Sequence, residues 1–139
     1  MAIPTEVLFI NEDYIKKYTT LTSAVDTNII TPAVYLAQDK SVQRFLGTEL
    51  FNKLKTDIAD NTLTGDYATL MDEYVLKMTL WWTMVELYPS LLYKLDNGNL
   101  VSRQSEDTTP VTKYEMESLR DAARDNARYY TKRLVDYLD

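Results

Sequence analysis

Between Asp66 and Leu95 the chain reads DYATLMDEYVLKMTLWWTMVELYPSLLYKL, and few folds can house such a segment. Tyr67, Met71, Tyr74, Met78, Trp81, Val85, Tyr88, Leu92 and Leu95 recur at alternating spacings of four and three. A second row, Leu76, Leu80, Met84, Leu87 and Leu91, covers another face. Only Asp72, Thr79, Thr83, Glu86 and Ser90 make a polar strip. A helix apolar round most of its circumference must be buried on several sides. Pro89 should kink it or start a new segment, because proline has no N–H to return to the preceding turn. Leu76 to Leu95 is also long enough to span a bilayer. Lys77, Glu86 and Lys94 argue against that, since one mid-span acid costs about 3 kcal/mol on insertion scales. A core helix is the expectation, with no membrane partner.

Other helices are needed to cover it, and the flanking sequence supplies them. Asn11 is placed to cap a short helix over 12–18, with acids in its first turn and lysines in its last, as the helix dipole favours. Thr31-Pro32 reads as an N-cap followed by proline at the first helical position, although Asp26 could begin that helix a turn earlier. Ile30, Val34, Ala37, Ser41 and Phe45 form its apolar face, and Gly47 stops it in a left-handed conformation. Thr48 then caps a helix in which Leu50, Leu54 and Ile58 recur every fourth residue. Thr112 and Glu115 make a T-x-x-E capping box for the last helix, with Leu119, Ala123, Ala127, Tyr130, Leu134 and Leu138 as its stripe. The layout is all-α: one domain over 1–139, about five helices round a long central apolar one. The expected core includes Leu46, Leu50, Leu54, Tyr74, Met78, Trp81, Val85 and Leu119.

NGNLVSRQSEDTTPV, residues 97–111, breaks the helical pattern. A segment of this length without periodicity is uncommon in a compact domain and usually means a binding loop or a linker. Leu100 and Val101 are apolar residues that a solvated linker would not need, and Arg103 is its only base. The expectation is a protruding loop or hairpin-like arm in which Leu100, Val101, Arg103 and Gln104 meet another protein.

Chemistry is scarce. The chain has no His and no Cys, so the commonest general base, the strongest nucleophile and cysteine-based zinc sites are all missing. No two of its three glycines lie close enough for a phosphate-cradling loop. Asp60 and Gly65 suggest a calcium loop, but Thr62, Thr64 and Met71 occupy positions that need carboxylates or amides. The sequence therefore carries no catalytic, cofactor-binding or metal site that we can name, and is read as non-enzymatic. The start, MAIPTEVLF, has neither the basic region nor the apolar run of a signal peptide, which suggests a soluble protein that works where it is made. Fifteen basic against 21 acidic residues make a poor DNA binder. Arg120, Arg124 and Arg128 recur on the last helix with Glu117, Asp121 and Asp125 three residues before each. Two readings stay open: a face paired within itself, or a contact between subunits. Eleven tyrosines favour interfaces, because tyrosine buries apolar area while offering a polar tip.

Residues 9–58, FINEDYIKKYTTLTSAVDTNIITPAVYLAQDKSVQRFLGTELFNKLKTDI, carry a resemblance. Tyr14-Ile15-Lys16, Val25-Asp26, Ile30 with Pro32, Ala37-Gln38, and Leu46-Gly47-Thr48 before Leu50 and Leu54 resemble the N-terminal half of phage head–tail connector (adaptor) proteins. Among these, the ring proteins of crAss-like phages of gut bacteria are the most similar. The resemblance implies an all-α virion protein, assembled in the host cytoplasm as a homo-oligomeric, dodecameric ring between the portal and the tail. It would bind the portal and other connector or tail proteins, and line a channel through which DNA passes without specific binding. The alternative is a helical protein–protein binding module working as a monomer or dimer with a soluble partner.

Overall fold

A computed structural model describes residues 7–19, 27–97 and 113–139, and every described element is helical. The helices are α1 (Glu12–Tyr18), α2 (Thr27–Ala37), α3 (Gln43–Leu46), α4 (Thr48–Asp60), α5 (Gly65–Leu70), α6 (Leu76–Asn97) and α7 (Lys113–Leu138). A π-turn over Gln38–Val42 runs α2 into α3, and another over Met71–Val75 runs α5 into α6. Five helical rods result. α6 packs against α2 and against α7, and the second π-turn also touches α7. Among the described residues no helix is long and apolar enough to cross a membrane.

Local chemistry sets several of the ends. The Asn11 side chain accepts from the Tyr14 N–H at 2.9 Å and opens α1. Gly47, at φ +84°, turns the chain from α3 into α4, a conformation that a side chain would oppose. Its ψ of 154° is extended, so it is not the left-handed stop expected. Thr48 is the first residue of α4 and makes no capping bond of its own; its hydroxyl lies 3.3 Å from the Gln43 side-chain amide. Asn61 closes α4 in the left-handed region, with its N–H on Ile58 and that of Thr62 on Asp57. That pair of bonds is a Schellman motif. α2 begins at Thr27 and carries Pro32 inside it, so the Thr31 cap expected from the sequence does not form. Helix formation had begun a turn earlier, and proline there merely omits one bond.

The π-turns correct the expected faces. In each, an N–H reaches back five residues: Gln43 to the Gln38 carbonyl, and Leu76 to that of Met71. The extra residue advances the buried face by one position. Val42 is buried where Ser41 was expected, Phe45 is half-buried beside Leu46, which is buried as expected, and Val75 is buried while Tyr74 is half-buried. Gln38, inside the first π-turn, is buried and clamps the segment before α1. Its Oε1 accepts from the Phe9 N–H at 2.6 Å, and its Nε2 donates to the Val7 carbonyl at 2.9 Å. Phe9 and Ile10 thereby enter the core, where Phe9 meets Phe51 edge-on at 5.6 Å.

Two members of the polar strip foreseen on the central segment face the interior, whereas Asp72 is exposed and Glu86 half-buried. Thr79 and Thr83 are fully buried, and neither hydroxyl has a partner among the described residues. Packing on more than one side of α6 leaves no solvent face there. Glu86 binds Lys40 of the first π-turn at 3.1 Å. Pro89 lies within α6, and its missing N–H frees the Val85 carbonyl four residues back. Arg120 of α7 fills the gap: its Nε donates to that carbonyl at 3.1 Å.

Leu46, Leu54, Met78 and Val85 are buried; Leu50, Tyr74 and Trp81 are half-buried against the core. Leu119, expected inside, is 45% exposed. The buried line of α7 is Met116, Ala123, Ala127, Thr131 and Leu134. At 3.6 residues per turn, Leu119 stands roughly 60° round from Met116.

Candidate functional site

Beside α7 the helices leave an open groove of about 550 Å³. α1 contributes Tyr14 and Tyr18, the second π-turn Asp72, α6 Leu76, Lys77, Leu80 and Trp81, and α7 Tyr130. The spacing of Tyr14 and Tyr18, one turn apart, sets both rings on one side of α1, where their centroids are 4.8 Å apart. Trp81 turns into the groove, while Trp82 is anchored by its indole N–H to the Thr131 hydroxyl at 2.9 Å. Thr131 in turn donates to the Ala127 carbonyl, so α6 and α7 are fixed to each other beside the groove.

The electrostatics are those of ring faces edged by charge. Burial first, then Tyr18, Tyr130 and Asp72, push the Tyr14 hydroxyl above its ordinary value, so it remains a protonated donor. Cations already lie over several of the rings in and beside the groove. The Lys17 ammonium is 5.4 Å from the Tyr18 centroid, and the Arg133 guanidinium is 5.3 Å from Tyr74 and 6.0 Å from Tyr130. Tyr74 is itself stacked on Tyr137 at 4.4 Å. Lys77 approaches Glu73 at 3.9 Å, whereas Asp72 makes no ion pair among the described residues. Such a site can take an apolar or cationic group, offering π-faces, the phenolic hydroxyls of Tyr14, Tyr18 and Tyr130, and one carboxylate. Among the described residues no group of three His, Cys, Asp or Glu is placed to hold a metal ion.

The arginines of α7 have different surroundings. Arg120 turns inward to Val85 and is half-buried, so it does not belong to an outer stripe. Arg124 pairs with Asp121 at 3.4 Å. Arg128 is exposed and makes no ion pair among the described residues, although Asp125 precedes it by three. Of the three pairs the spacing suggested, one forms. Leu100, Val101, Arg103 and Gln104, with most of the 97–111 arm, lie outside the described residues, as does Thr112 of the capping box.

The groove was not visible in the sequence. Tyr14 drew notice there only as part of a resemblance, Trp81 as core and Tyr130 as stripe, and nothing in linear spacing joins α1 to α7. The one available signal was the Tyr14–Tyr18 repeat on a helix too short to need two tyrosines for its own core.

These features define a small all-α protein with an aromatic groove against its longest helix. The chain belongs to a family described as a family of unknown function, DUF6712, whose profile matches residues 42–139. That match covers most of the chain and begins within the first π-turn, so the segment resembling connector proteins lies largely before it. No curated protein and no solved structure matches the chain.

Proposed function

We propose that this chain is a structural, non-enzymatic virion protein, a subunit of a connector ring between the portal and the tail. The observation that carries the reading is the pair of different surfaces on opposite flanks of α7. One flank is the aromatic groove. The other presents exposed charge, Arg128 among it, and the 78% exposed ring of Tyr114. Rings arise when one surface of a subunit meets a different surface of the next, and two unlike surfaces on one rod suit that geometry. Tyrosine-rich surfaces are typical of such contacts. The resemblance of residues 9–58 to connector proteins points the same way, as does the net charge of −6, which suits a channel that must let DNA slide. In this reading α6 is the central apolar helix of the subunit. The 97–111 arm, known here through its sequence, is assigned to the neighbouring subunit or the portal.

Quantitative mass spectrometry of purified virions tests the proposal. The chain should be recovered with the portal protein at a fixed copy ratio, and its gene should stand beside portal and capsid genes. Absence from particles refutes the reading, and a monomer or dimer found with a soluble partner would replace it with the binding-module class.

A further inference from the structure

We propose that the aromatic groove is the receptor for a cationic side chain of a second copy of this chain: Arg128 of one subunit enters the groove of the next, with Asp72 as its counter-ion. The inference deepens the ring reading and rests on it. It begins with the bases of α7 whose side chains are described. Arg120 is bound to the Val85 carbonyl, Arg124 to Asp121, and Lys132 to Asp136 at 3.1 Å, while Arg133 lies over the Tyr74 and Tyr130 rings. Arg128 alone among them has no such contact, and it is exposed.

The groove is complementary to it. Arginine stacks on aromatic faces and pairs with carboxylates through the same planar group. The groove offers Tyr14, Tyr18, Trp81 and Tyr130 together with one carboxylate, Asp72, that no described base engages. The competing charges nearby are committed: Lys77 towards Glu73, Lys17 over the Tyr18 ring, and Arg133 over Tyr74 and Tyr130. Two of the groove's rings, Tyr18 and Tyr130, thus already lie beside a cation of their own helix.

Geometry then excludes closure within one subunit. Arg128 and Tyr130 are two residues apart on α7, hence roughly 160° apart round the helix. Tyr130 faces the groove, so Arg128 points away from it. A subunit can give its Arg128 in one direction and offer its groove in the other. That contact is head-to-tail, and repeated it gives a ring or a filament rather than a closed dimer.

Arg128→Lys keeps the cation and supplies an amine; a carbodiimide activates the adjacent carboxylate, and the amine attacks it to form an amide as the urea leaves. With the assembled full-length variant, peptide mapping should find Asp72 of one chain joined to the new lysine of another, in covalent chains of three or more subunits. Arg128→Glu should abolish assembly as measured by light scattering, and adding Asp72→Arg should restore it. An assembly larger than a dimer whose cross-links avoid Asp72, or that survives Arg128→Glu, overturns the groove contact and leaves the ring reading standing. A closed dimer, or a monomer at every concentration and in particles, overturns both.

Discussion

Arg120 and Pro89 form the most exacting test of how this fold is held together. Proline at 89 leaves the Val85 carbonyl without its helical donor, and the Arg120 guanidinium supplies one at 3.1 Å from α7. A hydrogen bond to a charged group contributes about 1.5–3 kcal/mol net. Arg120 is half-buried, so water can replace part of that bond, and the lower end, about 1–1.5 kcal/mol, is the appropriate figure. Arg120→Met keeps the aliphatic stem and removes the donor. For a domain of this size the loss should lower the melting temperature by about 4–5 °C. Pro89→Ala restores an N–H four residues after Val85 and should itself be stabilising, by up to about 3 kcal/mol. In that background the carbonyl is satisfied, so Arg120→Met should cost at most about 0.5 kcal/mol, the value of lost packing. Urea denaturation of the four proteins completes the double-mutant cycle, with an expected coupling of about 1 kcal/mol. A coupling below about 0.3 kcal/mol would refute the reasoning, because Arg120 would then serve α7 in some other way.

Gln38→Ala strips both bonds from Val7 and Phe9 and leaves two backbone groups unpaired; a loss of about 2–4 kcal/mol is expected in chemical denaturation. Gln38→Leu, which fills the space without the amide, should not recover it. Thr83→Val replaces a fully buried, unpartnered hydroxyl with a methyl group of similar shape, so stability should be unchanged or rise by about 1 kcal/mol. A loss of that size would instead show that the hydroxyl holds a buried water. Asp57 lies below the ordinary carboxylate range, chiefly through its bond to Lys53 and then that to Thr62. Its folded form binds protons less readily than its unfolded form, so its contribution is present above about pH 4 and fades as the pH falls through the folded value. Asp57→Asn should therefore lower stability at neutral pH and flatten the acid limb of the stability curve; parallel curves for the two proteins would remove Asp57 from that account.

Legibility followed the range of each interaction. The cap at Asn11 depends on residues three apart, and the sequence shows it directly. So does the all-helical class, which rests on periodicity. The buried faces of the rods through 38–42 and 71–75 were offset because each π-turn inserts a residue, and periodicity alone does not say where a helix will widen. Ser41 was therefore expected where Val42 is found, and Phe45 was placed on the face that Leu46 fills more completely. Thr79 and Thr83 looked like a solvent strip because hydropathy registers polarity and not neighbours. Arg120 resembled its companions at 124 and 128, and only the partner helix shows that a proline 31 positions earlier redirected it. The groove was least visible of all, since Tyr14 and Tyr130 stand near opposite ends of the chain.

The Gln38 clamp has a mechanical consequence. One side chain carries both bonds that tie Val7 and Phe9 to the rods, so a pull on the chain's beginning concentrates at a single residue instead of being shared along a ladder. Two bonds loaded together at one point give way in sequence, as a zipper does, and at lower force than the same bonds sheared side by side. Under tension the segment before α1 should detach first, exposing Phe9 and Ile10, while the rods behind it keep their shape. A force-extension trace pulled from that end should show a small early step, and Gln38→Ala should erase it without moving the main rupture.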